Sequence, residues 1–215
     1  MADKPNIHSK LITEEARKTL GPLGLVQKGR SRVWLDDQVW WAGVVEFQPS
    51  GFSKGSHLNV GCMWLWHVKA HIGYAVVNEV GQFHSFESEE QFRPAANLLA
   101  RQAAQEILRV RSLFSSAADV RLYYTRKSEG VSLWRWFDGA IASALSGKPE
   151  EARRLFDKVV RSNDNEYDWV KEARSDARHL SALTFQPEEF REAIVHRVQK
   201  TRELQKLRSV SQIGF

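Results

Sequence analysis

The sequence predicts an α+β fold, with an N-terminal helix and a tryptophan-rich antiparallel β-sheet in front and a helical lobe behind. Between residues 25 and 92, short runs show the two-residue period of β-strands. After residue 92, apolar residues recur every three or four positions, as they do in amphipathic helices. We therefore predict an α+β sheet domain at residues 1–92 and a helical region at residues 93–215, packed on or beside the sheet.

The first elements are a helix and a hairpin. Residues 12–20 have the spacing of a short amphipathic helix, which Gly21-Pro22 ends. A first strand is predicted at residues 31–35 and a second at residues 39–47, with Asp36-Asp37 as the turn between them.

The strand that follows has the clearest alternation in the chain. An irregular loop at residues 48–56 precedes it, because that stretch holds two glycines, one proline and three serines. The residues on one face of the strand are large and apolar, namely Leu58, Val60, Cys62, Trp64 and Trp66. Two weaker strands are predicted at residues 73–78 and 82–86.

A long helix comes next, with an apolar stripe from Ala96 to Phe114 that is long enough to lie across the sheet. Ser88 and Gln91 have the spacing of a capping box, although Pro94 favours a helix that begins nearer Arg93. Further helices are predicted at residues 117–125, 133–146, 149–161, 167–183 and 187–207.

One pair of these helices, around residues 140–156, resembles a single helix-turn-helix of a tetratricopeptide repeat. A solenoid needs about three repeats to bury its faces. We therefore interpret the pair as helical-hairpin packing and not as a peptide-binding array.

Composition and charge limit the classes of function that the chain can have. With 42% apolar and 27% charged residues, the chain has the composition of a folded protein. Residues 1–90 carry 9 Lys/Arg against 10 Asp/Glu, whereas residues 91–215 carry 22 against 16. The basic excess of the helical part fits an acidic partner or nucleic acid, and it also fits ordinary solubility.

The sequence shows neither a secretion signal nor an apolar stretch long enough to span a bilayer. Its single cysteine, Cys62, cannot form an internal disulfide, which fits a reducing compartment. We expect a cytoplasmic protein with no membrane partner.

The front part also resembles a known family. Three segments, at residues 20–30, 45–50 and 58–61, are similar to the bacterial family catalogued as domain of unknown function 4304, over roughly residues 10–90. In that family an N-terminal helix leads to a segment of the type GF-K-G and then to strands marked FQ-S and NLG. Here Leu25 replaces the usual aromatic residue and Val60 replaces leucine.

The resemblance implies a small α+β domain of bacterial origin. The family has no established activity, so no catalytic residues are transferred to this chain. The helical back half lies outside the matched motifs.

Our first functional hypothesis is a non-enzymatic protein that recognises another macromolecule, most simply another protein. Five of the eight tryptophans fall in the sheet region, and indoles are enriched at recognition surfaces. The binding surface would be the sheet or the groove between sheet and helices, with Trp40, Trp64 and Trp66 as candidate contacts. The alternative is that these rings form the core.

Two other hypotheses stay open. One is an enzyme of unrecognised class with a site at Gln48, Ser53, Lys54, His57 and Asn59, where a polar loop meets a strand. The other is a nucleic-acid-binding protein that uses the basic helical part.

No cofactor or metal is expected. His57 and Cys62 would lie on opposite faces of a strand, and His67 and His71 lack the glutamate of a metalloprotease motif. We interpret Cys62 as a buried structural thiol.

Overall fold

The computed structural model describes residues 7–126, 132–162 and 167–215, and it confirms the α+β class. The helices of these residues are α1 (Ile7–Leu20), α2 (Glu89–Leu113), α3 (Ala117–Arg126), α4 (Leu133–Leu145), α5 (Pro149–Val160), α6 (Asp168–Leu183) and α7 (Pro187–Gln205). The strands are β1 (Val26–Gln27), β2 (Val33–Asp37), β3 (Trp41–Gln48), β4 (Gly55–Trp64), β5 (Val76–Glu79) and β6 (His84–Ser85).

The strands form an antiparallel sheet in the order β1-β2-β3-β4-β5, and β6 pairs with the beginning of β4. The longest pairing is the β3–β4 hairpin, which runs from Trp41 opposite Trp64 to Gln48 opposite His57. The predicted irregular loop lies between these two strands.

The chain divides into two compact units. The sheet unit comprises Met1–Leu65 and Lys69–Ser112, and the helical unit comprises Trp66–Val68 and Leu113–Phe215. The sequence placed a boundary at residue 92, whereas α2 belongs to the sheet unit and the division follows Ser112.

The core of the sheet unit lies between one face of the sheet and helices α1 and α2. Buried residues of β2, β3 and β4 pack there against buried residues of both helices, among them Trp34, Val45, Val60, Ile12 and Leu99. Gly43 in β3 permits the close approach of α2, because a Cβ at this position would lie 2.5 Å from the Ile107 side chain.

The predicted turn at Asp36-Asp37 is wrong, because both residues belong to β2. Asp36 is buried and accepts hydrogen bonds from Arg111 of α2, at 2.6 and 2.8 Å. The chain turns instead at residues 38–40, where Val39 has a φ of 70°. The ion pair with Arg111 thus holds Asp36 in the strand, although aspartate favours turns when it is exposed.

The predicted start of the long helix near Arg93 is also wrong. The helix begins at Glu89, and Pro94 lies inside it. Ser88 accepts a hydrogen bond from the backbone N–H of Gln91, whose side chain accepts one from the N–H of Glu87. Ser88 thus satisfies an N–H of the first turn, and the Gln91 side chain ties back the residue before the cap, so the helix begins before the proline.

The helical unit contains α3–α7, and the predicted positions of these helices are confirmed to within two residues at each end. Trp66 belongs to this unit and not to a strand, because β4 ends at Trp64. The Trp66 indole donates a hydrogen bond to Asp138 of α4, at 2.9 Å. Arg197 and Thr201 of α7 donate hydrogen bonds to the backbone carbonyls of Trp66 and His67.

Candidate functional site

The tryptophans predicted to contact a partner are buried. Trp40 is 5% exposed, and Trp64 and Trp66 are 0% exposed. Trp40 stacks on Trp64 with ring centroids 5.9 Å apart, and Trp41 packs edge-on against both. Their role in binding stays a prediction, and we do not base the proposed function on rings that present no surface.

The residues of the predicted enzymatic site are dispersed between loop and sheet. Ser53 and Lys54 are exposed on the loop between β3 and β4. Asn59 donates a hydrogen bond to the Gln48 side chain at 2.7 Å, and His57 lies 3.1 Å from a Glu79 carboxylate oxygen. The pairing of β3 and β4 brings Gln48, His57 and Asn59 near one another on the sheet. Ser53 and Lys54 lie apart from them on the exposed loop. The enzymatic hypothesis stays a prediction.

Within the described ranges, no three His, Cys, Asp or Glu side chains are grouped so that they could hold a metal ion. Cys62 is buried in β4. His67 hydrogen-bonds Asp138 at 2.6 Å and packs against Trp134 and Phe137.

A groove in the helical unit is a stronger candidate site than the predicted ones. It is a hollow of ≈ 520 Å³ between α3, α4 and α5. A second hollow of ≈ 540 Å³ continues along α5 and shares three lining residues with the first, namely Trp136, Arg154 and Lys158. We call the two hollows together the basic groove.

Cations outnumber acids along the basic groove. Five basic residues line it, Arg121, Arg135, Arg154, Lys158 and Arg161, against the acids Glu151 and Asp157. The groove therefore carries more positive than negative charge and favours an anionic ligand.

Helix geometry places these cations. Arg154, Lys158 and Arg161 follow one another at intervals of four and three residues, so they share one face of α5 and its C-cap. All three are exposed. Among the described residues none of the three forms an ion pair, and Arg154 donates only to a backbone carbonyl, that of Glu150.

On the side of the groove formed by α3 and α4, ion pairs and hydrogen bonds fix the side chains in place. Arg121 of α3 pairs with Glu151 of α5 at 3.5 Å. Arg135 donates a hydrogen bond to the carbonyl of Tyr124 at 2.9 Å and lies over the Tyr124 ring. The Tyr124 hydroxyl in turn donates to the buried Asp138 carboxylate at 3.3 Å.

The floor of the first hollow is Gly139 of α4. A Cβ at this position would lie 3.4 Å from both Leu155 of α5 and Tyr124 of α3. A methyl group here would therefore just touch both neighbouring helices and fill part of the hollow.

Trp136 is the one aromatic residue that both hollows share. Its ring is half-buried, and the Lys158 ammonium lies 6.0 Å from its centre. The negative face of an indole attracts cations, so Lys158 and Trp136 form a cation–π interaction. The arrangement combines a flat apolar face with exposed cations beside it.

Sequence reasoning missed this groove. The predicted contacts lie at the sheet and its loop, and the basic excess was assigned only to the helical part as a whole, so neither Trp136 nor the cations of α5 were singled out. A usable signal existed in the four- and three-residue spacing of Arg154, Lys158 and Arg161. It could not be linked to Trp136 without knowing that α4 and α5 pack side by side.

The fold and the groove define an α+β protein with a basic, aromatic surface on its helical unit. Comparisons of the chain with protein-family models, with curated proteins and with solved structures found no match. The resemblance to the family of domain of unknown function 4304 therefore stays a prediction. None of the helices in the described part of the chain is long and apolar enough to cross a membrane.

Proposed function

We propose that this chain is a non-enzymatic recognition protein that binds an anionic macromolecule in the basic groove of its helical unit. The observation that carries the proposal is the row of exposed cations on α5 beside the half-buried Trp136. These groups lie on rigid helices, so the ligand meets a surface that is already in place.

The charge of the groove supports a ligand with several negative charges. Arg154, Lys158 and Arg161 are separated along α5 by about one helical turn each, or roughly 5 Å. A single small anion would contact one or two of them, whereas an extended polyanion would contact all three. A polyanion also gains affinity through release of its condensed counterions.

Two further expectations belong to this proposal. The single cysteine is buried, which supports a cytoplasmic location where thiols stay reduced. The motifs at residues 20–61 support membership of the bacterial family named above, with the sheet unit as the shared domain.

Binding of the full chain to fluorescein-labelled heparin, followed by fluorescence anisotropy, tests the proposal. We expect binding at low salt and a steep loss of affinity between about 50 and about 200 mM NaCl. The double variant Lys158→Glu and Arg161→Glu should bind at least about tenfold more weakly, a loss of about 1.4 kcal/mol.

A matched control reverses two exposed cations elsewhere in the same unit, Arg178→Glu on α6 and Lys200→Glu on α7. It changes the net charge by the same amount, and it should retain most of the affinity. Equal losses in both double variants would show that net charge and not the groove drives binding, and the proposal would fail.

A further inference from the structure

Trp136 stands where the two hollows of the basic groove meet, and cations lie to either side of it. Arg121 and Arg135 line the first hollow, and Arg161 lines the second. A ligand that follows the groove therefore passes positive charge, then an indole, then positive charge again.

This alternation matches one class of polyanion. A single-stranded nucleic acid presents a phosphate between successive bases, and each unstacked base has a flat π-face that stacks on aromatic side chains. In a double helix the bases are already stacked inside, so a surface indole cannot stack on them. A sulfated polysaccharide has the charge but no aromatic ring.

An acidic peptide fits the site less well. Its carboxylates would pair with the arginines, but nothing in the chemistry of Asp or Glu uses the face of Trp136. The Lys158 ammonium already lies over that ring, and moving it to a phosphate would free the indole for a base.

We infer that the ligand of the basic groove is a single-stranded nucleic acid, with one base stacked on Trp136 and the neighbouring phosphates contacted by Arg154, Lys158 and Arg161. The inference rests on the proposed function and names its ligand class. Stacking on an indole tolerates any base, so the binding is expected to show little sequence preference.

The test compares three labelled probes on the full chain. They are an oligothymidylate of about 12 nucleotides, an abasic deoxyribose-phosphate oligomer of the same length, and a DNA duplex of that length. The first two carry the same charge and differ only in the bases. We expect the oligothymidylate to bind about 5- to 150-fold more tightly than the abasic oligomer, the range expected for one stacked base.

Substitutions of Trp136 test whether this residue causes the difference in affinity between the oligothymidylate and the abasic oligomer. Trp136→Ala should bring the oligothymidylate down to the affinity of the abasic oligomer, and Trp136→Phe should restore part of the difference. Circular dichroism of each variant checks that the helices are retained. Because the comparison of probes needs no variant, it stays informative if Trp136→Ala does not fold.

Equal affinity for the oligothymidylate and the abasic oligomer would overturn the inference and leave the proposed polyanion binding standing. Tighter binding of the duplex, or displacement of the oligothymidylate by polyglutamate at a lower concentration than by unlabelled oligothymidylate, would also overturn it. If neither heparin nor any of the three probes binds at low salt, the proposed function fails together with the inference.

Discussion

Asp138 joins three side chains in the interior of the helical unit. Its buried carboxylate accepts hydrogen bonds from the Trp66 indole and the Tyr124 hydroxyl, and it bonds His67. A buried carboxylate is costly unless several donors surround it. The three partners supply those donors, and one of them, Tyr124, also lines the basic groove.

Removing this carboxylate should destabilise the protein. Asp138→Ala leaves the Trp66 N–H and His67 buried without their acceptor, so we expect a loss of about 3 kcal/mol in the free energy of unfolding. Urea denaturation followed by circular dichroism measures it.

Two further variants show whether the loss in the free energy of unfolding comes from the hydrogen bonds of Asp138. Asp138→Asn keeps an oxygen acceptor and should lose less than Asp138→Ala. Glu203→Ala removes a carboxylate whose side chain is 74% exposed and should change stability by less than about 0.5 kcal/mol. A stability of Asp138→Ala equal to that of the unaltered protein would contradict the role given to the network.

At the scale of single elements, glycines in strands set how closely neighbouring segments approach. Gly61 in β4 lies opposite Val77 of β5. A Cβ on Gly61 would lie 2.0 Å from the Val76 carbonyl oxygen, which is backbone and cannot rotate away. The pairing of β5 with β4 therefore requires glycine at this position.

Gly61→Ala should push β5 away from β4 and lower the free energy of unfolding by about 1–3 kcal/mol, the range for overpacking. Gly51→Ala is the matched control, because Gly51 lies in the β3–β4 loop with nothing within 4 Å of an added Cβ. Thermal unfolding of the two variants gives the comparison. Equal stability of the two variants would show that β5 moves without cost.

The basic groove likewise depends on how single helices pack against one another. α4 and α5 form an antiparallel pair of the kind the sequence suggested, with Gly147 at a φ of 69° in the connection. The third wall comes from α3, and the hollow exists because these three elements are neighbours. The hairpin alone would bring Trp136 beside the cations of α5, but it would lack the side of the first hollow that Arg121 and Tyr124 of α3 supply.

At the scale of the whole molecule, hydrogen-bonded carboxylates make the stability of the fold depend on pH. In the sheet unit, Glu15 is buried and Glu106 is half-buried, and both accept hydrogen bonds. Hydrogen bonds from Lys18 and Asn97 lower the pKa of Glu15, and hydrogen bonds from Arg109 and Asn78 lower the pKa of Glu106, in both cases below the ordinary value of 4.5. The charged carboxylates are thus favoured in the folded state.

This lowering predicts acid sensitivity of the sheet unit. A carboxyl whose folded pKa lies below its unfolded value contributes stability above the unfolded value, and the contribution is lost as the pH falls through the folded pKa. We therefore expect the thermal midpoint to fall as the pH decreases below about 4.5.

The double variant Glu15→Gln and Glu106→Gln should show a smaller fall over the same pH range, measured by differential scanning calorimetry. Glu188→Gln and Glu203→Gln, two exposed positions in the helical unit, serve as the control. An unchanged pH dependence in the first double variant would contradict the assignment.

The sequence by itself determined the elements of this protein and their class. The two-residue period from Leu58 to Trp64 and the three-to-four-residue period from Ala96 to Val110 follow from local geometry, since each period reports which face of one element is buried. Charge counts likewise showed that the basic excess lies in the helical part.

Only the tertiary structure decided which side chains meet and which stay at the surface. Asp36 continues a strand because Arg111 reaches it across the sheet unit, and Trp66 leaves the strand because Asp138 binds it. These partners are distant in sequence, so no local period reveals them. The same holds for the basic groove, because Trp136 and Arg161 form one surface only when α4 and α5 pack together.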